Sequence, residues 1–429
     1  MIVNKVSGAV VDACPAYGSV NGWDAIWSIT SIRTRDSMSD PVDRFAFGAN
    51  WQRYLKGSFT PERAEIARRQ LMAFLRLDSL AGRTFLDIGS GSGIHSLGAW
   101  QSGAAEVVSF DYDPQSVAAT RLLHAAAGSP ANWRVMQGSI LDEAFCDALG
   151  VFDVVYSWGV LHHTGDQWRA FDNAARRMAG GGRFYVALYA SEIHIDPSPE
   201  EWLDIKRRYN AAGRLGKLRL ELWQLWATVL RRDIRNIAAL PKLSRDYRHS
   251  RGMAMMADIR DWLGGWPMEF SSTAEVLDHA GAHGLAPAAV ADGNVNTEFL
   301  LVRRSEAAGL GLAVVDAGPA IPVLRAFTDL PERPFFIFGT ARGAELLVQR
   351  LRRRGGPELA GFIDIERTGR FMGLPVLSVD DFAASWPDDT PVVLSNRHVL
   401  PNAERLRGRG RTALWNAHPL VISLNYRGP

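Results

Sequence analysis

Asp87, Gly89, Gly91 and Gly93 alternate along Phe85-Leu-Asp-Ile-Gly-Ser-Gly-Ser-Gly93, and Asp111 follows Gly89 by 22 residues. Glycines let a chain turn sharply and let a ligand rest against bare backbone. A carboxylate accepts two hydrogen bonds at once, which suits the cis-diol of a ribose. Their order describes a nucleotide-like site at the carboxyl end of a strand. A second chemical set is Ser157-Trp-Gly-Val-Leu-His162-His163. Imidazole is the usual proton acceptor near neutral pH, so His162 or His163 is the expected general base. Neighbouring side chains point in different directions, so one of the two is expected to act and not both. His249 and Asp258 are the alternatives. The acids near them, Asp166 and Asp172, form no evident carboxylate cluster, so no metal is expected.

Positioning these groups takes a run of alternating elements. Apolar strands are expected at 85–88, Val107–Phe110, Trp133–Met136, Phe152–Ser157 and Arg183–Ala190, the last after a Gly180-Gly-Gly turn. Helices are expected at Ile94–Gln101 and, opened by Pro114, to about Ala127. Strands separated by helices imply a parallel, doubly wound sheet. The glycine loop is not a dinucleotide fingerprint. The third glycine of G-x-G-x-x-G would fall on Ile94 or Ser96.

The spacing Asp87-x-Gly89-x-Gly91-x-Gly93 instead resembles motif I of the class I S-adenosylmethionine-dependent methyltransferases. The resemblance runs over about 110 residues. It implies S-adenosylmethionine as cofactor, with Asp87 holding the methionine amino group and the glycines carrying the cofactor on their backbone. It places Asp111 and Tyr112 beside the ribose and the Ser139-Ile140 turn beside the adenine. Ser139 departs from the acid common there. Ser157 and Trp158 open a run similar to the family's motif after strand four. An Asn/Asp-Pro-Pro-aromatic element is missing at that place, so a nucleic-acid substrate is not expected.

The whole chain has 429 residues, 47% hydrophobic and 22% charged, with a net charge of +2. That balance fits globular domains and no wholly polyanion-directed protein. Two distant cysteines, Cys14 and Cys146, frame no disulfide scaffold. A reducing, cytoplasmic setting is expected, without a membrane span or signal peptide.

The expected fold is α/β: a Rossmann-like methyltransferase sheet with a helical lid insertion, plus a second, smaller α/β Rossmann-like domain. Residues 1–40 read as an extension, 41–304 as the methyltransferase domain and 191–285 as the lid. The aromatic stretch 45–54 is expected to close over the cofactor or to pack the helix Pro61–Leu77. From Asp204 to Arg251 the lid holds 13 Lys or Arg against 4 Asp or Glu. Such a face attracts phosphate, nucleotide or anionic lipid, or is simply solvated. Residues 305–333 read as a linker and 334–429 as the smaller domain. There Gly339-Thr-Ala-Arg-Gly343 follows a strand, and Asp364 ends the next one 25 residues after Gly339. That part resembles small nucleotide-sugar-binding domains and the C-terminal half of sugar C-methyltransferases. It is expected either to bind a nucleotide sugar, with Arg342 on a phosphate, or to pack as a homo-oligomer contact. The chain as a whole reads as an O- or N-methyltransferase of a sugar, nucleotide-linked sugar, glycan or secondary-metabolite precursor. The alternatives are an aromatic or quinone-like acceptor, and a binding or scaffold protein on a degenerate fold.

Overall fold

The computed structural model describes residues 59–230, 234–251, 255–293, 295–316 and 318–427, together with 48, 51 and 55. The expected extension 1–40 and Cys14 lie outside them, as does most of the 45–54 stretch.

Seven strands build the first sheet: β1 Thr84–Ile88, β2 Glu106–Asp111, β3 Trp133–Gln137, β4 Phe152–Trp158, β5 Met178–Tyr189, β6 Leu285–Asp292 and β7 Asn296–Arg303. Their spatial order is β3-β2-β1-β4-β5-β7-β6. The first five run parallel, and β7 runs antiparallel between β5 and β6. Both faces are covered by helices, so the strands are apolar throughout; Phe85, Leu86, Val107, Val108, Val154 and Val155 are fully buried. The strand order reverses between β1 and β4. That switch opens a crevice outside their carboxyl ends.

The helix Pro61–Leu75 is capped by Thr60 and stops two residues before the expected Leu77, because Arg76 is left-handed (φ 53°) and returns its N–H to Met72 and Ala73. β5 begins at Met178, not at Arg183. The Gly180-Gly-Gly segment is a bulge inside the strand rather than a turn before it. Pairing with β4 shifts register there, and a Cβ on Gly182 would stand 2.9 Å from the Ala179 carbonyl.

Residues 191–285 form the expected helical insertion, with helices Pro199–Ala211, Arg214–Gln224, Leu240–Arg251, Met255–Gly264 and Thr273–Ala282. It has its own core around Trp202, Tyr209, Ile259 and Leu263. The second sheet has strands β8 Phe335–Phe338, β9 Leu359–Ile363, β10 Gly369–Phe371, β11 Leu374–Leu377, β12 Val392–Leu394 and β13 Leu414–Asn416, in the order β10-β11-β9-β8-β12-β13. All but β10 run parallel.

The segment between the sheets divides its apolar residues. Ala307 and Leu312 pack into the first core, and Leu324 and Leu330 into the second. The two units meet at the carboxyl ends of β6 and β12. Asp292 donates its N–H to the Arg397 carbonyl at 2.8 Å, Arg397 pairs with Glu298 at 3.4 Å, and His418 Nε2 lies 3.2 Å from the Gly293 carbonyl.

Candidate functional site

The loop after β1 is built from residues that tolerate positive φ. Gly89 and Gly91 sit at φ 73° and 54°. A Cβ on Gly89 would strike the Val160 methyls at 2.4 Å, and one on Gly91 would meet the Trp51 indole at 3.0 Å. These glycines therefore admit the chain's own side chains as well as a turn. Gly89 and Ser90 donate their N–H groups to the Phe110 carbonyl, which pins the loop to β2.

Asp111 ends β2 and locks that loop from the other side. Its Oδ2 accepts the Gly91 N–H at 3.0 Å and its Oδ1 accepts the Asp113 N–H at 2.9 Å. Burial pushes its carboxyl up to about 6, helped by the Asp113 charge and against the pull of those two N–H groups and of Tyr112 N–H. Asp87 is buried and accepts a hydrogen bond from Ser96 Oγ. Ser96 is 2.7 Å from Ser109 Oγ, which accepts Trp133 Nε1–H at 2.8 Å. Burial raises Asp87 to about 7, with the nearby Asp111 adding to the rise. The crevice thus holds two carboxyl groups of raised basicity beside a glycine loop.

The other nominated residues share this edge. Tyr112 follows Asp111 and is exposed. The Ser139-Ile140 turn is tied in from both ends: Gly138 donates its N–H to the Asp111 carbonyl, and Asn173 Nδ2 donates to the Ile140 carbonyl at 2.8 Å. Ser157 is buried, its hydroxyl 3.4 Å from the Ile88 carbonyl, and Trp158 beside it is exposed. The N-terminal segment also reaches the site. Gly48 donates its N–H to Asp113 Oδ2 at 2.7 Å, while Trp51 lies on Gly91.

His162 and His163 form a single turn after β4, and they differ. His162 is fully buried, stacks on Tyr189 with ring centroids 3.8 Å apart, and accepts the Tyr189 N–H at Nδ1. Burial drives its pKa well below the ordinary value. His163 is half-buried, and its Nδ1 lies 2.8 Å from the Pro267 carbonyl. A carbonyl only accepts, so that nitrogen carries the proton. Burial brings His163 down to about 4.

The group that stands behind this pair carries no motif in the sequence. Lys206, on the lid helix Pro199–Ala211, is 1% exposed and donates to the Trp262 carbonyl. Its ammonium carries no carboxylate partner in the described bonds and ion pairs, and burial brings it down to about 7. Tyr189, Trp262, His194 and Phe270 make an aromatic wall beside it. The available signal was its place in the helix. Trp202, Lys206 and Tyr209 recur at i, i+4 and i+7, on one buried face. Of the two lid alternatives, Asp258 is half-buried on Met255–Gly264, and the side chain of His249 lies outside the described residues.

The nominated residues of the second sheet are engaged within it. Asp364 Oδ2 accepts Thr340 N–H and Oγ at 3.0 and 2.7 Å, and its Oδ1 accepts the N–H groups of Glu366 and Arg367. Arg342 pairs with Glu345 at 3.1 Å.

Residues 86–186 match a family described as a methyltransferase domain. No curated protein sequence matches the chain. Among solved structures, an O-methyltransferase family protein from Burkholderia thailandensis is 14% identical, over 56% of this chain and 57% of that one, with a TM-score of 0.35. The chain thus spans little more than half the length of that protein. The magnesium protoporphyrin IX methyltransferase of Synechocystis PCC 6803, solved with bound S-adenosylhomocysteine, is 14% identical over 59% of this chain and 93% of its own, with a TM-score of 0.35. A methyltransferase from Mesorhizobium loti is 25% identical over 31% and 55%, with a TM-score of 0.24.

Proposed function

Residues 86–186 carry a methyltransferase domain, and from that premise we propose that it is of the class I S-adenosylmethionine-dependent kind, that the crevice between β1 and β4 holds the cofactor, and that the acceptor lies under the lid. The carrying observation is the Asp111 carboxylate locked to Gly91 N–H at the switch point. Asp111 retains acceptor capacity for the ribose diol, since an ionised carboxylate offers about four acceptor sites and the N–H groups of Gly91, Asp113 and Tyr112 take three. Asp87 is read as the partner of the amino group, Gly89, Gly91 and Gly93 as the cradle, Tyr112 as the ribose neighbour, Ser139 and Ile140 as the adenine border. Ser157 and Trp158 are read as the floor of the crevice.

Bound S-adenosylmethionine supplies the reactive methyl carbon and its leaving group. What remains for the protein is alignment and, for a hydroxyl or amine acceptor, proton removal. His162 is sealed into the core, and His163, at about 4, is a weak base. Lys206, at about 7, is better matched to proton uptake near neutral pH. We assign proton acceptance to Lys206, orientation of the acceptor to His163, and support of that turn to His162.

For the acceptor, we propose O- or N-methylation of a sugar, nucleotide-linked sugar, glycan or secondary-metabolite precursor. The support is the basic lid together with the second sheet, whose carboxyl edge abuts that of the first through Arg397 and Glu298. The aromatic wall of Tyr189, Trp262 and Phe270 favours a second reading, a flat aromatic or quinone-like acceptor. Calorimetry tests the cofactor reading: S-adenosylmethionine and S-adenosylhomocysteine should bind and NAD should not. A panel of sugars, nucleotide sugars and phenols, followed for a methyl mass increment, separates the two acceptor classes. A protein that binds neither cofactor form overturns the reading.

A further inference from the structure

On the helix layer outside the crevice, Asp172 faces two histidines more than 100 residues away in sequence. Its Oδ1 is 2.6 Å from His279 Nε2 and 3.0 Å from His283 Nε2. The two histidines are four residues apart, His279 on the helix Thr273–Ala282 and His283 at its C-terminal cap, so they share one face. His283 Nδ1 lies 3.1 Å from the His279 carbonyl. Because a carbonyl only accepts, Nδ1 carries a proton, and in the neutral ring Nε2 then presents a lone pair to the carboxylate oxygen. Two lone pairs at 3.0 Å repel unless a cation lies between them. An outward Nε2 backed by a bond from Nδ1 to a carbonyl is how metal-binding histidines are oriented. The Trp168 ring lies against His279, with centroids 4.5 Å apart, and fixes its plane. All three side chains remain a quarter to a third exposed, which leaves an ion a way in.

We propose that Asp172, His279 and His283 bind a divalent transition ion, with water in the fourth position. Two imidazoles and a carboxylate suit Zn2+ and disfavour Mg2+, which prefers oxygen ligands. The ion would staple the helix Gln167–Ala175, which precedes the lid insertion, to Thr273–Ala282, the last helix within it. Zn2+ titration of the full chain in a chelator-buffered solution tests it. One saturable site is expected, with a raised thermal midpoint that Mg2+ does not reproduce. Asp172→Asn and His283→Ala should each weaken Zn2+ by more than roughly tenfold, the cost that attends even lost outer partners. S-adenosylhomocysteine affinity in the same variants reports whether they fold. Zn2+ binding that is absent in the parent, or unchanged in folded variants, overturns the site and leaves a shared proton as the cation.

A separate observation concerns the lid's outer face. Of the thirteen exposed large apolar side chains among the described residues, six lie between 215 and 237. Leu215 is 85% exposed and recurs with Leu218 and Leu222 at i, i+3 and i+7, one stripe of the helix Arg214–Gln224. Trp226, Ile234 and Ile237 extend the apolar set. With the buried Lys206 and Glu221 set aside, the surrounding sequence, 204–251, carries 12 basic against 3 acidic residues. Two such faces repel each other, which disfavours a second copy as the partner. No described helix is long and apolar enough to cross a membrane. We infer that this face lies on an anionic lipid surface, leucines in the acyl boundary and Arg214, Lys217 and Arg219 among the headgroups.

Vesicle co-sedimentation tests this. The chain should pellet with phosphatidylcholine containing phosphatidylglycerol, much less with phosphatidylcholine alone, and less as salt rises. Leu215→Ser with Leu222→Ser should cut binding at least about tenfold, and Lys217→Glu with Arg219→Glu should remove the preference for anionic vesicles. Failure to pellet with anionic vesicles, or a leucine-dependent dimer in sedimentation that leaves vesicles unbound, overturns it.

Discussion

The ammonium of Lys206 lies 4.5 Å from the centre of the Trp262 indole, inside the lid and beneath an aromatic wall. A cation so placed gains from the ring's negative face but loses its hydration.

Lys206→Met should therefore raise stability. Replacing a buried ion pair with apolar residues of similar volume is neutral or stabilises by about 1–4 kcal/mol, and a cation without a carboxylate partner offsets still less of its lost hydration. The same change removes the proposed proton acceptor, so turnover should fall about 10²–10⁴-fold. Denaturant unfolding and methyl transfer on one preparation read both numbers. A variant that is stabilised and fully active would strip Lys206 of its catalytic role.

Asp111→Ala should weaken S-adenosylmethionine by about 1.5–3 kcal/mol, the range for hydrogen bonds to a charged group. Part of that loss comes from Gly91, whose N–H loses its acceptor. Asp111→Asn keeps an acceptor oxygen and should fall between. Equal affinity in all three proteins would remove the residue from the site.

Cofactor affinity should rise with pH. Burial holds Asp87 at about 7 and Asp111 at about 6 in the free protein, so both are partly protonated in mild acid. An ammonium and a diol bind the ionised forms, and a proton must leave first. Affinity should climb from pH 5 and level off above about 7, with Asp111→Asn showing the shallower slope. The same shifts act on folding with the opposite sense. A raised acid pKa favours the folded state below the unfolded value of 3.8, and that advantage is lost as pH rises through about 7. Asp87→Asn should flatten the stability profile over that window. Calorimetry and urea melts across pH check both signs.

The histidine pair should separate by phenotype. His162 is fully buried and stacked on Tyr189, so His162→Ala should cost about 3–5 kcal/mol of stability, as for a buried aromatic. His163→Gln should keep the fold and the cofactor affinity, with its loss confined to turnover. If His163→Gln alone loses 10²–10⁴-fold and Lys206→Met does not, proton acceptance belongs to His163.

In the second sheet, Asp364 spends both oxygens on the Thr340 turn and its own following backbone, so a ribose bond would displace existing ones. Arg342 is exposed and pairs with Glu345 of its own helix. Arg342→Ala in the full chain should weaken any nucleotide sugar that binds, without changing S-adenosylhomocysteine affinity. Unaltered nucleotide-sugar binding would move the handle elsewhere or leave the unit to packing.

The sheet was legible because its strands are apolar runs cut by glycine or an acid, as at Leu86–Gly89 and Phe110–Asp111, and helices fill the intervals. Length was less legible: the bulge at Gly180–Gly182 hides the start of β5, since three glycines read as a turn while the pairing with β4 continues through them. Residue type identified Asp87 and Asp111 as carboxyls at a loop, and only folding gives them raised basicity, since burial is a property of many contacts. Lys206 counted toward a basic face because charge was summed along the helix without regard to side. Asp172 could not be joined to His279 and His283 before the fold brought the last helix of the lid insertion back against the helix Gln167–Ala175, more than 100 residues away in sequence.

Gly48 is held to Asp113, and Trp51 rests on Gly91, so two residues from before the first helix touch the loop that would carry the ligand. A ligand lying between that loop and the Trp51 indole would then leave only as fast as the indole moves aside. Occupancy becomes a matter of residence time as much as of affinity, and the overall rate can be set by departure of spent cofactor. The indole of Trp51 is in place to report that departure through its fluorescence.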